Sequence, residues 1–170
     1  FFRADISNGI RWTPGASAFF QAQNYLSLLS YGVEWTASKD FQIGAYKINY
    51  TQSSGYTRST IDEPRFDGDA AVNNQLPYVP KWKYSGSLSF EKQNIRASLY
   101  GNWVSERFST EQNNLRNPEP SYFVLDASVG YSKTINQTII SLGFQVNNVL
   151  DEQYEVVRLY PQPLRNFLIT

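Results

Sequence analysis

Hydrophobic and polar residues alternate one for one along most of this chain. In KWKYSGSLSFE, Trp82, Tyr84, Leu88 and Phe90 fall on one face of an extended segment, while Lys81, Lys83, Ser85, Ser87, Ser89 and Glu91 fall on the other. The same period sets Tyr31, Val33, Trp35 and Ala37 against Ser30, Gly32, Glu34 and Thr36, and Ile95, Ala97, Leu99 and Trp103 against Arg96, Ser98 and Asn102. Further on, Phe123, Leu125, Ala127, Val129 and Tyr131 oppose Asp126, Ser128, Gly130 and Ser132, and Ile140, Leu142, Phe144 and Val146 oppose Ser141, Gly143, Gln145 and Asn147. Around 43–50 the phase slips, because Ile43 and Tyr46 would lie on opposite faces of one strand, and a bulge would restore it. The pattern predicts eight strands, near 1–11, 24–38, 41–53, 80–92, 95–108, 121–133, 138–148 and 163–170.

The predicted connections alternate in length. SKDF, KQN and TINQ are minimal turns, whereas 12–23, 54–79, 109–120 and 149–162 are long and rich in Asn, Pro, Gly and charge. All short turns therefore fall at one end of the sheet and all long loops at the other. A soluble sandwich or lipocalin has no reason for that asymmetry, and a closed soluble barrel turns its apolar face inward. A transmembrane antiparallel β-barrel has this layout, with short periplasmic turns, long extracellular loops, an apolar stripe toward lipid and a polar lumen. Trp12, Tyr50, Trp82, Trp103, Tyr122 and Tyr131, near strand ends, suit interfacial girdles, although aromatics favour strands in any setting.

Composition narrows the chemistry. The 170 residues carry fifteen basic and fifteen acidic side chains, so there is no basic footprint for nucleic acid. Without Cys there is no disulfide or thiolate, and without His the usual general base and metal ligand is missing, which argues against an enzyme of the lipase or protease kind. No run approaches the roughly 20 apolar residues of a membrane helix. Asp62, Glu63, Asp67, Asp69 and Asn73 are hard oxygen donors, but they lack the order of an EF-hand loop and read as a solvated acidic loop, so no metal or other cofactor is expected.

The end of the chain is more specific. Asn148, Asp151 and Tyr154 in NNVLDEQY, followed by PLRNF with Pro163 and Arg165, resemble the C-terminal signature of TonB-dependent outer-membrane receptors, with Leu164 where that family usually has Gly. SNGIRWTP (7–14), QNYLSLLSYGVEW (23–35) and LPYVPKWKYSGSLSF, which enters its strand at Pro80, resemble further segments of the family in the same order. The resemblance implies a barrel of 22 strands, of which residues 1–170 would form the C-terminal portion. The plug domain contacted by TonB and the earlier strands would lie outside the chain, and the final strand would be cut short at Thr170. It also implies residence in the outer membrane of a Gram-negative bacterium among lipid and lipopolysaccharide, active uptake of a scarce small molecule such as cobalamin or a ferric siderophore, and room for a surface lipoprotein partner. VSERFSTEQNN and PSYFVLDAS loosely resemble cobalamin receptors of the family. A self-contained eight-stranded structural or adhesive barrel is the alternative, and pairing of the first strand with the last would establish it.

For ligand capture the useful groups are aromatic and cationic side chains expected on the long loops. Trp12, Phe20, Tyr56, Phe66 and Tyr78 suit an apolar or macrocyclic surface, and Arg58, Arg65, Arg107, Arg116 and Arg158 suit carboxylate, catecholate or phosphate groups. Asn148, Asp151, Tyr154 and Arg165 are expected to be structural, with the Asn and Asp bonding turn backbone at a strand end.

Overall fold

The computed structural model describes residues 1–14, 19–64, 66–114 and 118–170, and all of their side chains except those at 8, 11–14, 20 and 23–26. Its elements are β1 (Phe2–Pro14), β2 (Phe20–Ile43), β3 (Tyr46–Ile61), β4 (Trp82–Lys92), β5 (Ile95–Val104), β6 (Tyr122–Ile135), β7 (Thr138–Asn147), β8 (Glu155–Val157), β9 (Tyr160–Pro161) and β10 (Asn166–Ile169). β1 to β7 and β10 form one antiparallel sheet in chain order, and β8 and β9 are a small hairpin beside it. Among the described residues β1 and β10 are edges of this sheet and do not pair with each other. Among the described residues no helix is long and apolar enough to cross a membrane.

The predicted alternation holds in the register. Leu99 pairs with both Leu88 and Ala127, and Ala127 pairs with Val146, so one apolar face runs unbroken from β4 to β7. The other face is a hydroxyl ladder. Ser30–Ser59 (2.7 Å), Thr36–Ser53 (2.9 Å), Ser38–Thr51 (3.0 Å), Ser98–Ser128 (2.7 Å) and Ser132–Ser141 (2.9 Å) bond across neighbouring strands, the sheet counterpart of helical side-chain pairs. Among the described residues nothing covers the apolar face. Leu88, Leu99 and Leu142 are 43%, 44% and 63% exposed, and the buried hydrophobics are confined to Ile61, Ala71, Val104 and Tyr122 at the long-loop end. Such a sheet has no water-soluble core, which excludes the sandwich and the lipocalin.

Aromatic rings frame the apolar face. At the long-loop end Tyr56, Trp82, Tyr84 and Trp103 form a continuous row with centroid separations of 4.7, 6.0 and 5.3 Å, and at the short-turn end Tyr46 meets Phe90 at 5.2 Å. β4, which joins the two, has 11 residues. At about 3.4 Å per residue and a tilt near 45°, that is roughly 25 Å of height, the apolar band of an outer-membrane barrel. Tyr122 does not join the girdle as expected: it pairs with Val104 on the polar face and is buried. Trp12 has its side chain outside the described residues.

Several boundaries differ from the sequence expectation, β5 for instance ending at Val104 rather than 108. SKDF is not a turn, because β2 continues through it to Ile43 and the chain reverses at Gly44–Ala45, where Gly44 takes φ +59°. Ile43 thereby pairs with Tyr46 on the same face, so no bulge is needed. β2 and β3 also run further into the long-loop end, to Phe20 and Ile61, than the predicted loops 12–23 and 54–79 allowed. In addition, β1 inverts the pattern. Arg3, Asp5 and Ser7 share the face of Tyr31, whereas Phe2, Ala4 and Ile6 share the polar face of Gly32 and Ser30. This inversion lies beyond the aromatic row, where the wall has left the apolar band.

The mouth loops and the lumen wall

The strands have unequal heights, and the loops resolve the mismatch. β4 pairs with β3 only as far as Tyr56, so Thr57 to Ile61 present a bare edge. Residues 72–81 lie along it: Lys81 O accepts from Thr57 N (2.9 Å), Leu76 N donates to Ser59 O (2.8 Å), and Asn73 N donates to Ile61 O (2.9 Å). The irregular part is closed by a side chain. Gln75 is 4% exposed, accepts from Ser59 N through Oε1 (3.2 Å) and donates through Nε2 to Val79 O (3.2 Å) and Thr57 O (3.4 Å). Its carboxamide reproduces a peptide group and satisfies backbone that would otherwise be buried unpaired.

Further bonds lace this loop to the next. Asn113 brackets the backbone of Gln75, accepting from its N–H (2.8 Å) and donating to its C=O (2.7 Å), while Asn74 Nδ2 donates to Glu111 O (3.0 Å) and Tyr78 N to Phe108 O (2.8 Å). Arg107 carries the lacing onward. Buried at 4% exposure, it donates from Nη2 to Pro120 O and Glu155 O, both at 3.1 Å, and lies 5.0 Å from the ring of Tyr122. Tyr122 in turn packs on Tyr154 at 4.4 Å.

The Asn, Asp, Tyr and Arg of the final connection form a knot. Asn148, 3% exposed with φ 52°, exchanges side-chain bonds with the backbone of Glu152 (2.9 Å each way) and donates to Pro163 O (3.4 Å), and its own N–H donates to Asp126 Oδ1 (2.8 Å). Asp151 accepts from Arg165 N (2.9 Å) and lies 3.6 Å from its guanidinium, which also reaches Val149 O (3.3 Å). Burial, then the neighbouring Tyr122 and Asp126, push the Tyr154 phenol above its ordinary value. Asp69, from the acidic run, bonds Ala71 N within its own turn (3.0 Å), and among the described residues no group of three acidic side chains is placed to hold a metal ion.

The ligand-capture candidates are dispersed by the fold. Tyr56 and Arg58 are not on a loop: both lie in β3 on the apolar-face register, Tyr56 in the aromatic row and Arg58 donating to Asn73 O (3.4 Å). Arg107 is locked inside the loop lacing and Tyr78 is half-buried in it. Phe66 on the 62–81 loop and Arg158 on the β8–β9 turn are exposed but belong to separate connections. Arg65 and Arg116 and the side chains of Trp12 and Phe20 lie outside the described residues. A different group lines a recess on the polar face. Glu34, Ser53, Lys83, Ser85 and Asn102, roofed by Val79 and Pro80, surround a cavity of about 340 Å³. Glu34 and Lys83 flank Gly55 in the register, and a Cβ there would stand 3.5 Å from Glu34 Cγ, so the missing side chain helps to open the recess. Only the register reveals that these distant polar residues meet.

A single sheet, apolar toward one side, lined by hydroxyls toward the other, girdled by aromatics, with tight turns at one end and laced loops at the other, defines the class of outer-membrane β-barrels. The model of the family described as TonB dependent receptor-like, beta-barrel, matches residues 1–149, and the chain belongs to that family. No curated protein sequence matches it. Solved structures with the same fold include the ferric citrate transporter FecA (20% identity, 84% of this chain and 23% of that one, TM-score 0.71), BauA, the ferric preacinetobactin receptor from Acinetobacter baumannii (14%, 98% and 25%, TM-score 0.73), and the copper transporter OprC (19%, 96% and 26%, TM-score 0.68). The chain thus spans about a quarter of the length of these proteins.

Proposed function

We propose that this chain forms the C-terminal eight strands of a TonB-dependent active-transport receptor in the outer membrane of a Gram-negative bacterium, with a ferric siderophore or similar metal chelate as the transported ligand. The observation that carries the reading is the two-faced open sheet: its apolar face requires lipid, its hydroxyl-lined face requires a polar lumen, and its two unpaired edges require further strands, since bare edges are not tolerated in lipid. The open edges also disfavour a self-contained eight-stranded barrel. Coupling to TonB would pass through a plug in the lumen, which the hydroxyl ladder and the Glu34–Lys83 recess would contact, leaving this wall static. The chelate is preferred to cobalamin because FecA and BauA are named for ferric ligands. The outward face would meet membrane lipid and, at the long-loop end, lipopolysaccharide, and a surface lipoprotein would have the exposed loops to cap.

The test is uptake by cells that depend on the receptor containing this chain, fed a panel of iron-labelled siderophores and labelled cobalamin with and without TonB. TonB-dependent accumulation of an iron chelate is expected. Uptake of cobalamin alone would reassign the ligand, and TonB-independent uptake would overturn the mechanism.

A further inference from the structure

The carboxylates of β2 to β7 are confined to one face, whereas cations occur on both. All four carboxylates in these strands, Glu34, Asp40, Glu91 and Asp126, share the register of the lumen face. The outward face carries Lys39, Arg58, Lys92 and Lys133 and no carboxylate. Three of these cations gather at the short-turn end, where β2, β4 and β6 finish at Ile43, Lys92 and Ile135. Each is within four residues of its turn, or about 10 Å of height, a span that the headgroup layer and a flexible lysine stem together cover. Lys133 lies two residues beyond Tyr131, the residue level with Ile95, as the β6–β7 turn lies beyond the β4–β5 turn.

On the lumen side of the same rim carboxylates and cations are mixed, and Lys47 stands in register with Glu91. Arg96 pairs with Glu91 at 3.2 Å, and Asp40 accepts from Asn49 at 2.6 Å. Among the described residues none of the three lysines has an ion-pair partner. Aromatic groups steady two of them instead: Lys92 Nζ donates to Tyr46 Oη (2.6 Å) over its ring at 4.2 Å, and Lys39 Nζ stands 5.9 Å from the ring of Phe41. An ammonium has three donors, so Lys92 keeps two for an outside acceptor. Cations at the edge of an apolar band, with no carboxylate on their face of β2 to β7, match one component of a membrane, the phosphate of an anionic lipid.

We propose that Lys39, Lys92 and Lys133 form a docking rim for anionic phospholipid headgroups in the leaflet at the short-turn end of the barrel. The proposal rests on the reading that the outward face meets lipid. To test it, the intact receptor is reconstituted into vesicles of phosphatidylcholine with a minor fraction of spin-labelled phosphatidylglycerol or, separately, spin-labelled phosphatidylcholine of the same chains, and motionally restricted lipid is measured. The wild type should restrict phosphatidylglycerol preferentially. The triple variant Lys39→Gln, Lys92→Gln, Lys133→Gln should lower that preference at least about fivefold. The corresponding triple Lys→Arg variant should retain it, and raising salt from about 0.1 M to 1 M should weaken it in the wild type. Equal restriction of both lipids by the wild type, or a preference unchanged by the glutamine variant, overturns the proposal while leaving the membrane reading intact. Failure of the wild type to insert into either vesicle overturns the membrane reading itself.

Discussion

At the scale of single residues, the fold depends on a few backbone approaches and a few fully used polar side chains. Gly32 shows the first. A Cβ there would collide with the carbonyl oxygen of Tyr56 and stand 2.8 Å from the Phe2 ring, so the Gly of the Gly-x-Glu segment is needed for close strand contact. Gly32→Ala should lower the temperature at which the receptor loses its compact, heat-modifiable migration on gels, whereas Gly86→Ala, whose Cβ would meet Thr51 O at an ordinary 3.8 Å, should not. Asn148→Ala strands several buried backbone groups and should cost about 2–4 kcal/mol, read as a lowered denaturation midpoint. Ser54 tests the converse, because its buried hydroxyl on the apolar face has no partner. Ser54→Ala should be neutral or stabilising by up to about 1 kcal/mol in the same assay.

At the scale of elements, legibility in the sequence followed the lipid. β4 to β7 were readable because every second residue must be apolar where the wall crosses a membrane. That demand ends at the aromatic row, and β3 continues as Thr57, Arg58, Ser59 and Thr60 with polar groups on both faces, so this part of the strand has the composition of a loop. β1 shows the same limit in another form, its polarity inverted once the outward side no longer needs to be apolar. The SKDF error has a related cause: a polar cluster resembles a turn, but Asp40 faces the lumen and Lys39 the rim. Loop lacing was invisible, since Gln75 and Asn113 are 38 residues apart and neither belongs to a motif. Arg107 was visible as a cation but not as a buried one. Its Nη2 bridges two carbonyls from different connections while the planar guanidinium lies against Tyr122, so Arg107→Lys should loosen the loops and raise their proteolytic nicking in intact cells nearly as much as Arg107→Ala.

At the scale of the whole molecule, stability is set by a membrane on one side and by satisfied polar networks at the mouth, so its pH response should arise at the mouth. The neutral phenol of Tyr154 is favoured in the folded state, and its raised pKa contributes stability that is fully present below the ordinary tyrosine value near 10 and lost as pH rises through the raised one. Alkaline loosening of the 148–165 connection should therefore set in above about pH 10 and be blunted by Tyr154→Phe, as followed by protease susceptibility of that loop. The candidate site was the least legible part at this scale. Residue type points to aromatic and cationic loop positions, whereas the fold assembles a lumen-face recess from Glu34, Lys83 and Asn102 on three different strands.

The side chain of Gln75 carries a consequence beyond this one molecule. Five residues of bare β3 edge, Thr57 to Ile61, would be a template on which an extended segment of another polypeptide adds itself as a strand, most readily while barrels are crowded during assembly. With its carboxamide seated on that edge, the template is occupied from within. Gln75→Ala should thus be felt less as a loss of melting temperature than as intermolecular strand exchange, with trapped, misassembled oligomers accumulating at high expression.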